Sequence, residues 1–237
     1  MNRSTKIYLI PTTLADHTLY TLPSYVTETI SHVRIFLVEE VKYAQQFLKK
    51  INMQFPIAEC TFHLLNEHTS RQEIEPLFKK ILGQDFGIIS ESGCPCIADP
   101  GADIVLLAHQ NNIEVIPLVG PSSILLALMA SGLNGQNFAF HGYLPKEKEA
   151  RRKKIKELEN RSFHEQQTQI VMEAPYRNQN LFEDILSSCH SGTLLCIACD
   201  LTNTGQYIKT YPVKMWRNQN PPINKRPALF LIQKRHF

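Results

Sequence analysis

The sequence predicts an α/β fold of two α/β domains with mainly parallel sheets, and three observations carry this. Short apolar runs alternate with stretches of helical periodicity throughout the first half. A turn-forming Gly120-Pro121-Ser122-Ser123 interrupts that rhythm near the middle. Charge changes sign at the same place: residues 1–120 carry 9 Lys/Arg and 13 Asp/Glu, whereas residues 121–237 carry 16 and 9. The predicted domains are residues 1–117 and 118–237, and a length of 237 residues suits such a division.

In the first domain, strands are expected at 7–10, 34–38, 61–65, 86–90 and 113–117, each a short apolar run. Helices fill the intervals. The helix over 23–33 opens at Pro23-Ser24, and another covers 41–51. In the helix over 70–82, Ser70 and Glu73 have the spacing of a capping box. A fourth covers 102–111. In the second domain, a helix over 124–131 closes at Gly132. There follow a strand at 138–141, a basic helix at 146–159, a strand at 169–173, a helix at 180–188 and a strand at 194–199. The runs 206–213 and 228–233 read as late, partly antiparallel strands, and the polar, proline-containing loop 218–226 lies between them.

Composition narrows the class. Hydrophobic residues make up 43% and charged residues 20%, which excludes a disordered chain. No apolar run approaches the roughly 18 residues that a membrane helix needs. Residues 1–10 are too short for a signal-peptide core, so a cytoplasmic protein is expected. Cys196 and Cys199 form a C-x-x-C inside an apolar run. A strand sends residues three apart to opposite faces, so the pair reads as reduced core thiols, and no metal site is expected. There is no G-x-G-x-x-G, Walker A lysine, H-E-x-x-H or G-x-S-x-G, which argues against P-loop NTPases, metalloproteases and α/β-hydrolases.

Two bends stand out. Glu91-Ser92-Gly93-Cys94-Pro95-Cys96-Ile97-Ala98-Asp99-Pro100-Gly101 follows the predicted strand 86–90, at the carboxyl end where α/β sheets bind ligands. Its plainer reading is a strand-to-helix connection capped by Asp99. Gly120-Pro121-Ser122-Ser123 opens a helix, whose first amides and hydroxyls can hold an anionic or carbonyl group or simply cap it. Residues 146–156 hold seven basic side chains and two acidic ones. They suit a polyanionic partner, or a solvated amphipathic helix with Ile155 and Leu158 facing the core.

Taken in order, Ser90-Glu91-Ser92-Gly93-Cys94-Pro95-Cys96-Ile97-Ala98-Asp99-Pro100-Gly101, V-I-P-L-V-G-P-S-S (115–123), A-S-G-L (130–133) and H-G-Y-L-P-K (141–146) resemble the tetrapyrrole methylase-like, class III S-adenosylmethionine-dependent methyltransferases. Met172-Glu173-Ala174-Pro175-Tyr176-Arg177 and Asp200-Leu201-Thr202 extend the likeness, which runs over roughly residues 5–233. Within that family the chain is most similar to the branch that methylates a cytidine 2′-hydroxyl of small-subunit ribosomal RNA. The resemblance implies two α/β domains, an S-adenosylmethionine cofactor folded into the cleft between them, and a homodimer. By motif position it implies that Glu91, Gly93, Cys94, Ser122 and Ser123 line the cofactor site. Met172, Glu173, Leu201, Pro227 and Ala228 would join them from the second domain.

The chain also departs from the family pattern. The first loop, T-P-I-G-N-L-x-D in the family, reads Ile10-Pro11-Thr12-Thr13-Leu14-Ala15-Asp16. E-D-T-R becomes Glu39-Glu40-Val41-Lys42, H-E-H-N becomes Asn66-Glu67-His68-Thr69, and the aspartate of S-D-A-G becomes Glu91. An in-line methyl transfer needs alignment, and an acceptor hydroxyl gains from a nearby base. The catalytic candidates are Glu67, His68 and Arg177, with Glu39, Glu40 and Glu173 also within consideration. Adjacent Glu39 and Glu40 diverge, so they do not make a ready acid/base pair. His68 has a surface or capping role as its rival, and Arg177 a fold-level salt bridge. The expected function is methylation of RNA, with ribosomal RNA the partner. The alternatives are methylation of a small molecule such as a tetrapyrrole, and a cofactor-binding protein that has lost catalysis.

Overall fold

The computed structural model describes residues 5–235. Part of the N-terminal stretch read against a signal peptide, residues 1–4, lies outside the described residues. The chain divides between Ser122 and Ser123 into two compact units.

In the first unit the order is β1 (Lys6–Ile10), α1 (Ser24–Ile30), β2 (Ile35–Val38), α2 (Val41–Ile51), β3 (Thr61–Leu64), α3 (Arg71–Ile81), β4 (Phe86–Ile89), α4 (Ala102–Gln110) and β5 (Glu114–Pro117). The strands form one parallel sheet in the order β3-β2-β4-β1-β5. Successive strand residues serve opposite faces. Tyr8, Phe36 and Val38 pack with Val26 and Ile30 of α1 and with Phe47 and Leu48 of α2. Ile7, Leu37 and Ile88 pack on the other face with Phe78 and Ile81 of α3 and with Ile104 and Ala108 of α4. With both faces covered, the inner strands β2 and β4 are buried at every position, which is why they read as continuous apolar runs. The Glu40 side chain caps α2 by accepting from the Tyr43 N–H at 3.2 Å, and Glu73 accepts from the Ser70 N–H at 2.8 Å.

The chain leaves β1 towards β2 and leaves β4 towards β5, in opposite directions across the sheet. Because β4 lies between β1 and β2, these two exits run towards and past each other, so the loops that follow β1 and β4 meet at the carboxyl end of the sheet, the usual ligand position in α/β sheets.

The second unit runs α5 (Ser123–Ser131), β6 (Phe138–Tyr143), α6 (Lys148–Glu165), β7 (Thr168–Met172), α7 (Asn178–Ser188), β8 (Leu194–Cys199), β9 (Tyr207–Pro212), α8 (Val213–Trp216) and β10 (Ala228–Gln233). Its sheet has the order β6-β7-β10-β8-β9, and only β6 and β7 pair in parallel. The sequence predicts mainly parallel sheets, with late, partly antiparallel strands in the second half; the first sheet is wholly parallel and the second is mixed. The reason is the path of the chain. The β8–β9 hairpin reverses direction, and residues 217–227 then carry the chain back to the carboxyl end of β8, so β10 runs against both its neighbours. Leu181, Phe182, Val171, Ile197, Phe230 and Trp216 centre the core, and the indole N–H of Trp216 donates to the Leu195 carbonyl at 2.8 Å.

Helix α6 buries Ile155 and Leu158, as an amphipathic helix should. It also buries one of its basic residues. Arg151 is 5% exposed and Asp184 2% exposed. Arg151 donates to Asp184 Oδ2 through Nη2 at 2.6 Å, and Arg152 donates to Oδ1 at 2.7 Å. Lys146, Lys148, Lys153 and Lys156 remain exposed. The helix continues to Glu165, beyond the expected 159, because Ser162 is buried and its Oγ accepts from the Lys234 N–H at 3.0 Å. All six cysteines are free, and Cys196 and Cys199 are fully buried in β8. Among the described residues, no helix is long and apolar enough to cross a membrane.

Candidate active site

The carboxyl end of the first sheet gathers three loops. The Thr12 N–H, just after β1, donates to the Gly93 carbonyl in the loop after β4 at 2.9 Å. The Cys94 thiol lies 3.6 Å from the Pro121 carbonyl and 3.9 Å from that of Gly120. Gly93 has φ of 78°, and a Cβ there would stand 3.0 Å from Leu14 Cδ2 and 3.1 Å from the Pro121 carbonyl oxygen. Only glycine suits both the backbone and the space. A Cβ at Gly120 would lie 2.3 Å from Pro11 Cβ, so the third loop presses on the first as well. The two bends singled out in the sequence are therefore neighbours, at residues 93–94 and 120–121.

Carboxylates surround this end of the sheet. Ser90 is buried, and its hydroxyl donates to Asp99 Oδ2 at 2.5 Å while accepting from the Ser92 N–H at 3.1 Å. Asp99 thus braces the bend from within, and Gly101 takes the cap position of α4 that the plainer reading gave to Asp99. Burial holds the Asp99 carboxyl above its usual range, against the opposing effect of the Ser90 hydrogen bond. Glu39, at the end of β2, is pushed up to about 7, first by burial and then by the charges of Asp99 and Glu91, although the Glu91 N–H donates to it. Its Oε1 is buried and has no hydrogen-bond partner among the described residues.

Of the sequence candidates, Glu91 is exposed, Gly93 buried and Cys94 half-buried. Burial raises the Cys94 thiol, with the Asp99 charge adding to it. Ser122 ends the first unit and Ser123 opens α5; both are half-buried. Glu67 and His68 form a turn tip, with side chains 84% and 85% exposed and 3.6 Å apart. Glu67 lines a cavity of about 420 Å³ that Asp99, Gly101 and Asn66 also line. His68 is not among its lining residues.

In the second unit, the expected residues collect at one end of the sheet. Register pairs Leu229 with Met172 and Ala228 with Cys199, so the end of β7, the start of β10 and the end of β8 lie side by side. Met172 is half-buried, and Leu201 and Ala228 are each 6% exposed. The exposed Pro227 accepts from the Asp200 N–H at 2.9 Å. Glu173 is 3% exposed; its Oε1 accepts from the Ala174 N–H at 2.8 Å and from Arg177 Nη2 at 2.5 Å. Glu173 Oε2 and Arg177 Nε are buried without partners among the described residues. Arg177 therefore has the salt bridge that was its rival reading, together with an unspent donor.

Sequence reasoning gave Asp99 only a capping role and set Glu39 behind Glu67 and His68. The signal available for Glu39 was its position at the carboxyl end of a strand inside a ring of acidic loops. Its inward burial depends on the sheet order, which spacing does not reveal.

No family model matches the chain. Among curated proteins, it is 30% identical over 208 residues to the ribosomal RNA small subunit methyltransferase I of Vibrio cholerae, covering 87% of this chain and 68% of that protein. It is 28% identical to the protein of the same name from Escherichia coli O157:H7, covering 90% of this chain and 71% of that one. Among solved structures, the methyltransferase CobJ matches with a TM-score of 0.58 at 15% identity, covering 96% of this chain and 93% of the other. The uroporphyrin-III-C-methyltransferase from Thermus thermophilus matches with a TM-score of 0.53 at 15% identity, covering 97% and 92%. The two structures establish a shared tetrapyrrole-methylase fold, and the sequence relatives go further: the chain belongs to the ribosomal RNA small subunit methyltransferase I family.

Proposed function

We propose that this methyltransferase uses S-adenosylmethionine to methylate a ribose 2′-hydroxyl of small-subunit ribosomal RNA. The observation that carries the reading is the meeting of residues 93–94 with 120–121 at the carboxyl end of the first sheet. The left-handed backbone of Gly93 and its closeness to Pro121 make a surface of main-chain groups, which fits the mixed donors and acceptors of an adenosyl amino acid. Glu91, Gly93, Cys94, Ser122 and Ser123 would hold it. Met172, Glu173, Leu201, Pro227 and Ala228 are the second unit's share of the proposal.

When bound, S-adenosylmethionine supplies a methyl group activated by its sulfonium. The chain's own residues must align the acceptor and take its proton. Glu39 suits the proton: a carboxyl that titrates at about 7 is ionised in useful amount near neutral pH and is a far stronger base than an ordinary carboxylate. The carboxylate, half-buried at the end of β2, is the accepting group. Glu67 and His68, at the exposed rim, belong to the acceptor side, and Arg177 to a phosphate. The exposed lysines of α6 supply sequence-independent attraction for RNA. A cytoplasmic homodimer completes the proposal. Support for self-association comes from Leu125 and Met129, one turn apart on α5 and 51% and 79% exposed.

The test is transfer of labelled methyl from S-adenosylmethionine to unmodified small ribosomal subunits. The expected product is label in the RNA at a nuclease-resistant 2′-O-methyl position. Label that never enters RNA contradicts the reading.

A further inference from the structure

The turn between β7 and α7 presents an aromatic ring that the transfer chemistry does not use. Tyr176 is 70% exposed, in a 3₁₀ turn at Pro175–Arg177. The Arg177 guanidinium stands over the ring, 5.6 Å from its centroid, while the same guanidinium is anchored by the buried Glu173. The turn is braced from a second side. The Lys225 N–H donates to the Pro175 carbonyl at 3.1 Å. Asn178, fully buried, donates its amide to the carbonyls of Ile223 at 3.1 Å and Arg226 at 2.6 Å. These bonds bring Lys225, itself exposed, beside the turn. A large apolar ring is therefore held in solvent by a rigid frame, with the Arg177 guanidinium over it, with the exposed Lys225 joined to the turn through its main chain, and with Met172 and Glu173 shortly before it in the chain.

We propose that Tyr176 is the stacking platform for a nucleobase of the RNA acceptor, with Lys225 meeting a neighbouring phosphate. The inference rests on the reading of the acceptor as RNA. Three physical points favour it. Any base offers a π-face to an aromatic ring, and each stacked base contributes appreciably to single-strand binding. Arg177 fixes the ring's orientation through a cation–π contact, so little freedom is lost on stacking. A phosphate lies within one nucleotide of every base, so the exposed, flexible Lys225, whose main chain is bonded to the turn, has one within its reach. A small uncharged acceptor requires neither the exposed ring nor the lysine.

The experiment is equilibrium binding of the full chain to transcribed, unmodified small-subunit ribosomal RNA, without methyl donor, for the wild type, Y176A, Y176F and K225A. Loss of one stacked base weakens Y176A by about 5- to 150-fold, whereas Y176F, which keeps the ring, stays within about twofold. K225A lowers the slope of log K against log salt by about 0.7–0.9. The melting temperature of Y176A is expected to be unchanged, because the ring is exposed. RNA binding that Y176A leaves within about twofold of the wild type, or that Y176F weakens as much as Y176A, overturns this inference and leaves the methyltransferase reading intact. A loss in Y176A that comes only with a lowered melting temperature overturns it equally. A wild type that does not bind the RNA overturns both.

Discussion

The Thr12 amide donates to the Gly93 carbonyl at 2.9 Å, tying the loop after β1 to the loop after β4 at the carboxyl end of those paired strands. This single bond holds Gly93 against Leu14 and Pro121 in a conformation that ordinary residues resist. The fold in this way turns a sheet-topology feature into a fixed main-chain surface.

Gly93→Ala is expected to be doubly costly. The left-handed backbone costs about 1–2 kcal/mol for a residue with a Cβ. The added carbon must also push Leu14 or the Pro121 carbonyl aside. Chemical denaturation should show the lost stability, and calorimetry with S-adenosylhomocysteine should show weakened binding. Gly132→Ala is a fair control. Gly132 also has positive φ, but nothing lies near its would-be Cβ, so it should lose stability without losing affinity.

Glu39 should set the pH dependence of turnover. Its carboxyl titrates at about 7, so the proton-accepting form grows as pH rises, and the rate should climb through about pH 7 and then level. Glu39→Gln should lower the rate about 10²–10⁴-fold and remove that limb of the profile. The same substitution should stabilise the fold. A carboxyl raised in the folded state keeps its proton there while the unfolded chain releases it near 4.5, so the stability it contributes is present below that pH and lost as pH rises to about 7. Screening at a half-buried site leaves about 1 kcal/mol of this effect. Glu39→Gln should therefore melt above the wild type at pH 8 and level with it at pH 4.

The basic helix should separate into structural and binding residues. Asp184→Ala removes the partner of the buried Arg151 and is expected to cost about 3–5 kcal/mol in denaturant unfolding. Replacing the exposed Lys153 and Lys156 by alanine should leave stability nearly unchanged and weaken RNA binding in a salt-dependent way. Equal destabilisation by the two changes would contradict this division.

The first unit was legible because a parallel sheet covered on both faces demands unbroken apolar strands, and Phe36-Leu37-Val38 or Phe86-Gly87-Ile88-Ile89 supply them. The second unit was less so. The expected strand ends at 213 and no element is expected over 214–217; there Val213–Trp216 forms a short helix whose Trp216 packs against Phe182 and Tyr211. The last turns of α6 look too polar for a helix, since Ser162 finds its partner, the Lys234 N–H, only in tertiary structure. The late strands at 206–213 and 228–233 read as partly antiparallel, and β9 and β10 are so paired with β8; the central place of β10 between β7 and β8 is a property of chain path, which local pattern does not encode. The site divides in the same way. Glycines and prolines announced the two bends, whereas the burial of Glu39 and the exposure of Glu67 and His68 depend on strand order and loop direction.

The most direct measurement is calorimetric titration of the wild type and of a Ser122→Ala, Ser123→Ala double variant with S-adenosylmethionine. The wild type should bind, and the double variant should bind about tenfold more weakly, the loss expected for one or two hydrogen bonds. A wild type that takes up no S-adenosylmethionine, or a double variant of undiminished affinity, would contradict a donor held by the bend at residues 120–123.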